Sequence, residues 1–192
     1  FVLRQVGNRL AGLELDPYAG WFAQAALDIC FADLSLASGR RFPNIVKIAN
    51  TLETAPDRKF DLVIGNPPYG RVKLTDVQRS RYSRSLYGVF TDIALRWIKD
   101  DGIIAYLTPT SVLGGQYFSA LRRLLGEKAP PVAIDFVQSR KGVFEDALQE
   151  TMLAIYQNGK ETVPAQVHYL QVSDERRAKL VRNGTIALPS DT

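Results

Sequence analysis

A short apolar run that ends in two prolines places the strongest constraint on how this chain can fold. Residues 60–65 read Phe-Asp-Leu-Val-Ile-Gly, and the central Leu-Val-Ile leaves neither face of a strand polar. Strands of this kind are buried on both faces, as in parallel sheets that helices cover. The run leads directly into Asn66-Pro67-Pro68-Tyr69, where two successive residues lack the backbone N–H that a strand needs. The sequence therefore predicts a buried parallel strand that ends in a rigid loop.

Strand and helix patterns alternate along most of the chain. Residues 10–15 predict a strand that ends in Glu14, and Asp16 with Pro17 predicts the N-cap and first turn of a helix. Further strand patterns lie at 45–49, 103–107, 132–137, 152–156 and 163–172, and further helix patterns lie at 86–98 and 116–125. This order is typical of an α/β protein with a mostly parallel sheet, helices on both faces and antiparallel strands at one edge. We expect one domain over residues 1–172, and a tail or the start of a linker over 173–192.

The positive charge of the chain is concentrated beside the proline loop. The chain has 192 residues and a formal net charge of +4. Residues 71–84 carry this whole excess, because they contain a single acid, Asp76, and five basic residues: Arg71, Lys73, Arg79, Arg81 and Arg84. A local basic stripe next to a candidate site favours a polyanionic partner, and a solvated loop is the alternative.

The remaining composition excludes several classes of protein. A single cysteine, Cys30, and a single histidine, His168, rule out an internal disulfide and a metal site built from several such residues. No apolar run approaches the roughly 20 residues that a membrane-spanning helix needs. We therefore expect a domain that uses neither a metal nor a membrane.

The groups at residues 66–69 predict a pocket for a planar ligand that carries an amino group. Ligands of open parallel sheets bind at the carboxyl ends of the strands. The two prolines fix the backbone and remove donors, so the neighbouring carbonyls can face a ligand. Asn66 adds a side-chain acceptor and Tyr69 a flat aromatic face; a proline-rich turn without a ligand is the alternative. Glu14, at the end of its own strand, is placed to accept from ribose hydroxyls, with helix capping as its alternative.

Five stretches of the sequence, in this order, resemble the gamma-group (Taq-type) adenine-specific DNA methyltransferases of restriction–modification systems. They are Gly12–Pro17, Asn66–Gly70, Leu86–Phe90, Asp101–Pro109 and Gly142–Phe144, and the resemblance extends from Phe1 to about Val172. It implies a class I S-adenosylmethionine-dependent methyltransferase fold, which is Rossmann-like. It also implies methyl transfer from S-adenosylmethionine to the exocyclic amino group of adenine in double-stranded DNA. A prokaryotic cytoplasmic location follows from it, with a restriction endonuclease or a specificity domain as a partner.

The resemblance assigns the chemistry at the amino group to the proline loop, here Asn66, Pro67, Pro68 and Tyr69. The Asn66 side-chain oxygen and the Pro67 carbonyl would accept the amino hydrogens, and Tyr69 would stack on an adenine flipped out of the duplex. Phe144 resembles an aromatic residue that contacts this base, and an ordinary core phenylalanine is the alternative. The basic residues of 71–84 would hold phosphates without reading the DNA sequence.

The resemblance assigns binding of the methyl donor to Glu14, Leu15, Asn50, Thr51 and Phe90. Glu14 would bind the ribose, Leu15 would pack on the adenine of the donor, and Phe90 would lie near the donor. Asn50 stands where the family usually has an aspartate that accepts from the donor's adenine amino group. Thr51 stands where a bulkier apolar residue is usual. We therefore expect the contact at Asn50 to survive in weakened form.

Two parts of the family pattern are not found in this sequence. The first strand, with the glycine-rich loop that holds the methionine part of the donor, would precede Phe1, and a target-recognition domain would follow. We therefore expect the fragment alone to be inactive. Amino-group methyltransferases that act on protein glutamine or on RNA, and a degenerate non-catalytic DNA-binding module, are the alternatives. A glycine-rich motif encoded upstream of Phe1 would favour the enzyme.

Overall fold

The chain divides into two compact units. The computed structural model describes residues 2–70, 85–137, 150–172 and 178–187. The smaller unit comprises Phe1–Ala55 and the larger unit comprises Pro56–Thr192. Within the described residues, no helix combines the length and the apolar character needed to cross a bilayer.

The described part of the smaller unit consists of three helices and a two-stranded parallel sheet. The helices are α1 (Val2–Arg9), α2 (Pro17–Cys30) and α3 (Ala32–Ser38), and the strands are β1 (Gly12–Glu14) and β2 (Val46–Ile48). The predicted start of α2 is confirmed. The Asp16 carboxylate accepts a hydrogen bond from the Ala19 backbone N–H at 2.8 Å, and Pro17 is the first helical residue. Sequence signals that act within a few residues therefore set this element.

Gln24, on α2, fixes the start of β2. Its side-chain oxygen accepts hydrogen bonds from the backbone N–H groups of Ile45 and Val46 at 2.8 and 3.2 Å. Its amide nitrogen donates to the Pro43 carbonyl at 3.1 Å. The buried apolar residues beneath this contact are Leu3, Phe42 and Ile45. Because few apolar residues are buried there, hydrogen bonds of this kind are important for the stability of the smaller unit.

The larger unit is built on a six-stranded mixed sheet. Its described strands are β3 (Phe60–Gly65), β4 (Ile98–Pro109), β5 (Pro131–Val137), β6 (Thr151–Gln157), β7 (Ala165–Val172) and β8 (Ala178–Ile186). Its described helices are α4 (Leu86–Trp97), α5 (Ser111–Gly114) and α6 (Ser119–Lys128), with a 3₁₀ turn at Gln116–Phe118. The strand order is β3-β4-β6-β5-β7-β8.

Four strands of this sheet run in one direction and two run against them. The pairings make β3, β4, β5 and β7 co-directional, with β6 and β8 opposed. The prediction of an α/β protein with a mostly parallel sheet and antiparallel strands is confirmed, but the antiparallel edge strand, β8, is not one of the strands that the sequence predicted. The sequence did not predict that β6 lies inside the sheet, between β4 and β5. Residues 178–186, within the segment expected to be a tail or linker, form β8.

The core of the larger unit lies on one face of the sheet. Buried residues of α4, α5 and α6 pack there with alternate residues of β4 and β6, including Ile104, Tyr106, Ala154 and Tyr156. Side chains on the opposite face are more open: Leu62 and Ile64 of β3 are 53% and 71% exposed. The expectation that β3 is buried on both faces is therefore wrong. The described helices of this unit that join the core cover only the other face.

Candidate active site

The loop of residues 66–69 follows directly from β3, whose predicted bounds the structure reproduces. β3 pairs in parallel with β4, and Gly65 lies opposite Tyr106 at the carboxyl ends of both strands. Asn66 and Pro68 are exposed, Pro67 is buried and Tyr69 is half-buried. The buried proline anchors the loop, so the groups on either side of it are held at the surface of the sheet edge.

Tyr106 is a supporting residue that sequence reasoning missed. A Cβ atom added to Gly65 would lie 3.3 Å from Cε1 of the Tyr106 ring, which is tighter than ordinary contact. The Tyr106 hydroxyl also donates to the Phe90 carbonyl at 3.2 Å. One ring therefore supports the strand that enters the loop and, through its hydroxyl, the helix that carries Phe90. A glycine at the end of an apolar strand was the available signal, because it often marks a close approach.

Asn66 and Tyr69 contact each other across the two prolines. The Tyr69 hydroxyl donates a hydrogen bond to the Asn66 side-chain oxygen at 2.8 Å. Partial burial, and to a lesser degree the nearby Tyr87, raises the pKa of Tyr69 to about 12. The hydroxyl is therefore protonated at neutral pH and acts as a donor.

The end of the loop is tied to the start of α4. The Leu86 backbone N–H donates to the Gly70 carbonyl at 3.1 Å. Ser85 caps the same helix, since its hydroxyl oxygen accepts from the Gly88 backbone N–H at 3.1 Å. Both ends of residues 66–70 are thus fixed to regular structure, at β3 and at α4. The predicted phosphate-binding residues Arg71, Lys73, Arg79, Arg81 and Arg84, and the predicted base contact Phe144, lie outside the described residues.

The predicted donor-binding residues Glu14 and Leu15 lie in the smaller unit, at the carboxyl end of β1. One Glu14 carboxylate oxygen accepts from the Asp16 backbone N–H at 2.9 Å. This bond orients the carboxylate while its second oxygen can face a ribose hydroxyl. Leu15 is 68% exposed. An oriented carboxylate beside an open apolar side chain fits the ribose and adenine of a nucleoside.

Asn50 and Thr51 follow β2 and lie beside the end of β1. The two strands are paired in parallel, with Glu14 opposite Ile48, and the Ala49 backbone N–H donates to the Glu14 carbonyl at 2.9 Å. The Asn50 side-chain oxygen already accepts from the Leu52 backbone N–H at 3.0 Å. It therefore shapes its own turn, and a second donor would have to share this oxygen.

Gly20 is a second residue that sequence reasoning missed. It is the buried residue of α2, and an added Cβ would lie 2.2 Å from Cδ1 of Ile48 and 3.6 Å from the Glu14 side chain. Its missing side chain lets α2 approach the ends of β1 and β2. An isolated glycine inside a helical pattern was the signal.

The structure groups the predicted residues in two sets. Glu14, Leu15, Asn50 and Thr51 occupy adjacent strand ends of the smaller unit. Residues 66–69 belong to the larger unit, as does the half-buried Phe90, whose carbonyl is linked through Tyr106 to the strand before the loop. Among the described residues, no group of three or more His, Cys, Asp or Glu side chains could hold a metal ion.

Comparison with known proteins identifies the family. The model of a family described as Eco57I restriction-modification methylase matches residues 28–144, which is more than half of the chain. The chain belongs to this family. The Type II methyltransferase M.TthHB8I of Thermus thermophilus is 28% identical over 141 residues, which cover 64% of this chain and 28% of that protein. The chain thus spans less than a third of the length of this curated relative.

Two solved structures have the same fold as this chain. A putative class I S-adenosylmethionine-dependent methyltransferase from Listeria monocytogenes superposes with a TM-score of 0.62 and 15% identity, over 84% of this chain and 49% of its own. The M protein of the Type I restriction enzyme EcoKI superposes with a TM-score of 0.61 and 21% identity, over 87% of this chain and 37% of its own. The chain therefore has the fold of the class I S-adenosylmethionine-dependent methyltransferases.

Proposed function

We propose that this chain is the catalytic part of an enzyme that methylates the exocyclic amino group of adenine in double-stranded DNA, within a restriction–modification system. The observation that carries the proposal is the loop at the end of β3. There the Asn66 side-chain oxygen and the backbone at Pro67 are held on both sides by regular structure. Such a loop presents hydrogen-bond acceptors but no strong base. Methyl transfer to an amino nitrogen requires the acceptors and does not need the base.

The chemistry of the loop follows from hydrogen bonding to the amino group. When Asn66 Oδ1 and the Pro67 carbonyl accept the two amino hydrogens, the nitrogen lone pair is drawn out of conjugation with the ring. The lone pair forms the bond to the methyl carbon as the carbon–sulfur bond of the donor breaks, and one amino proton leaves to solvent. The loop acts mainly by positioning these groups for an in-line displacement.

The donor side of the proposal rests on the smaller unit and on Phe90. S-adenosylmethionine supplies an electrophilic methyl group on a sulfonium. Glu14 would accept hydrogen bonds from its ribose hydroxyls, and Leu15 would pack on its adenine ring. The resemblance of the sequence also assigns Phe90 to donor binding. Asn50 and Thr51 border the adenine, with Asn50 as a weak acceptor because its oxygen also serves the Leu52 N–H.

The DNA side of the proposal explains why Tyr69 is an aromatic residue. A base inside a duplex cannot reach a pocket at a sheet edge, so it must be extruded and held by stacking. Tyr69 offers the stacking face, and Phe144 contacts the base from another side. The basic residues of 71–84 hold backbone phosphates, which adds affinity without sequence preference. A restriction endonuclease or a specificity domain is the protein partner.

A methyl-transfer assay tests this function. The protein expressed from its complete gene is given labelled S-adenosylmethionine and duplex DNA of mixed sequence, and the nucleosides are then separated. We expect N6-methyladenine. Label in methylcytosine would contradict adenine as the substrate, and label only in protein or RNA would contradict DNA.

Asn66→Ala is the variant that addresses the mechanism. Loss of a preorganised group at the reacting atoms typically costs about a hundredfold or more in rate. We expect such a loss, with the unfolding midpoint nearly unchanged because Asn66 is exposed. The matched control is Asn44→Ala, an exposed asparagine in the smaller unit, which should methylate normally. Normal methylation by Asn66→Ala would overturn the mechanism.

A further inference from the structure

The acceptor oxygen of Asn66 has a partner within the loop itself. The Tyr69 hydroxyl donates to Asn66 Oδ1 at 2.8 Å, and this oxygen is the one assigned to the amino group of the base. A phenol O–H and an amino N–H can each donate one hydrogen bond to this oxygen, so the two groups compete for it. We propose that Tyr69 acts as a gate: its hydroxyl holds the Asn66 side chain until the ring turns away to admit the base and stack on it. This inference rests on the proposed function.

The backbone of the loop is restricted in ways that favour opening of this gate by the side chains. Pro67 and Pro68 have ring-fixed φ angles, and Pro67 is buried. Gly65, the residue before Asn66, is paired in the sheet and backed by the Tyr106 ring. These restraints limit changes in the separation of the Asn66 and Tyr69 Cα atoms, so rotation of the two side chains is the easier way to break the hydrogen bond. Asn66 is exposed and Tyr69 half-buried, which leaves room for that rotation.

The gate also stays closed over the usual range of pH. Partial burial, and then Tyr87, raises the pKa of Tyr69 to about 12. The hydroxyl keeps its proton at neutral and mildly alkaline pH, so the contact to Asn66 is not lost by ionisation. Opening must come from the incoming base, which stacks on the freed ring and, where it carries an amino group at the reacting position, replaces the hydroxyl on Asn66.

Tyr69→Phe removes the gate and keeps the ring. A neutral hydrogen bond near the surface changes an equilibrium by about two- to tenfold, so base capture should improve by that factor. The probe is a duplex that the unmodified protein methylates, with 2-aminopurine in place of the target adenine. Its fluorescence rises when the base leaves the stack. It has no amino group at the reacting position, so a titration reports opening of the gate rather than the new bond to Asn66.

The expected result is half-saturation at a two- to tenfold lower protein concentration for Tyr69→Phe than for the unmodified protein. Tyr18→Phe, at an 80% exposed tyrosine of α2, is the matched control and should leave the titration unchanged. Unchanged or weaker capture by Tyr69→Phe would overturn the gate.

Tyr69→Ala separates the gate from the stacking surface. Loss of base–aromatic stacking weakens capture by about five- to a hundredfold, so this variant should bind more weakly than the unmodified protein. Capture by Tyr69→Ala as tight as by Tyr69→Phe would show that the ring does not stack, and would also overturn the proposal. If the unmodified protein forms N6-methyladenine and only the Tyr69→Phe result fails, the gate alone is lost. If the unmodified protein methylates no base, the proposed function is lost and the gate with it.

Discussion

The two units hold their candidate residues by different means. In the smaller unit, Glu14 and Asn50 are oriented by single hydrogen bonds to the backbone of their own loops, above a core of three buried residues. In the larger unit, the proline loop is backed by the ring of Tyr106, which belongs to a core spanning three helices and four strands. Under the proposed function, the residues of the smaller unit bind a donor through a few oriented contacts, whereas the proline loop needs rigid acceptors for the amino group.

The largest expected difference between the two units is the loss of stability at alkaline pH. Burial raises the pKa values of Tyr87, Tyr106 and Tyr156, all in the larger unit. Their ordinary value is 10.0, so below pH 10 the folded and unfolded chains bind the same protons there. Above it the unfolded chain ionises first, and the free energy of unfolding of the larger unit falls. Each tyrosine lowers the free energy of unfolding by at most about 1.4 kcal/mol per pH unit.

Urea unfolding measured at several pH values between 9 and 12 would test this slope. Tyr156→Phe should reduce the slope by about a quarter, because it removes one of four described tyrosines of the larger unit whose pKa is raised, Tyr69 being the fourth. A slope that is unaffected by this substitution would contradict the burial of the Tyr156 hydroxyl, which lies 3.3 Å from that of Tyr87.

Removal of a leucine side chain should show the next largest difference. Leu121 of α6 is fully buried in the larger unit, whereas Leu36 of α3 is 81% exposed in the smaller one. Leu121→Ala should cost about 2–5 kcal/mol in free energy of unfolding, from lost burial and the cavity left behind. Leu36→Ala should stay within about 0.5 kcal/mol. Equal shifts in denaturation midpoint would contradict the difference in packing between the units.

The smallest expected difference between the units is the loss of stability when a helix N-cap residue is replaced, and these two replacements are the most closely matched. Ser85 caps α4 and Asp16 caps α2, each by accepting from a backbone N–H three residues along. Ser85 is buried, so Ser85→Ala leaves the Gly88 N–H without its acceptor away from water and should cost about 1–3 kcal/mol. Asp16 is exposed, and Asp16→Ala should cost about 1 kcal/mol. A larger loss of stability in thermal unfolding for Asp16→Ala than for Ser85→Ala would contradict this order.

Features set by neighbouring residues could be predicted from the sequence. The bounds of β3, the Asp16 cap and Pro17 at the first turn of α2 all depend on signals within a few positions. The position of the proline loop at a strand end followed for the same reason. These parts of the fold need no knowledge of distant residues.

Features set by contacts between distant residues could not be predicted in the same way. The approach of Tyr106 to Gly65 joins positions on different strands, and its hydroxyl bond to Phe90 adds a helix. The exposure of Leu62 and Ile64 depends on which face the helices cover, which the Leu-Val-Ile pattern does not encode.

The interior position of β6 has a consequence for synthesis of the chain on the ribosome. β6 pairs with β4 and β5 on its two sides, although both precede it in the sequence. β5 ends at Val137 and β6 at Gln157, so at ordinary translation speeds the two flanking strands are complete about one to four seconds before the strand that separates them. During that interval β4 and β5 expose parallel edges that could pair with each other. The nascent larger unit must therefore postpone closure of its sheet until β6 emerges.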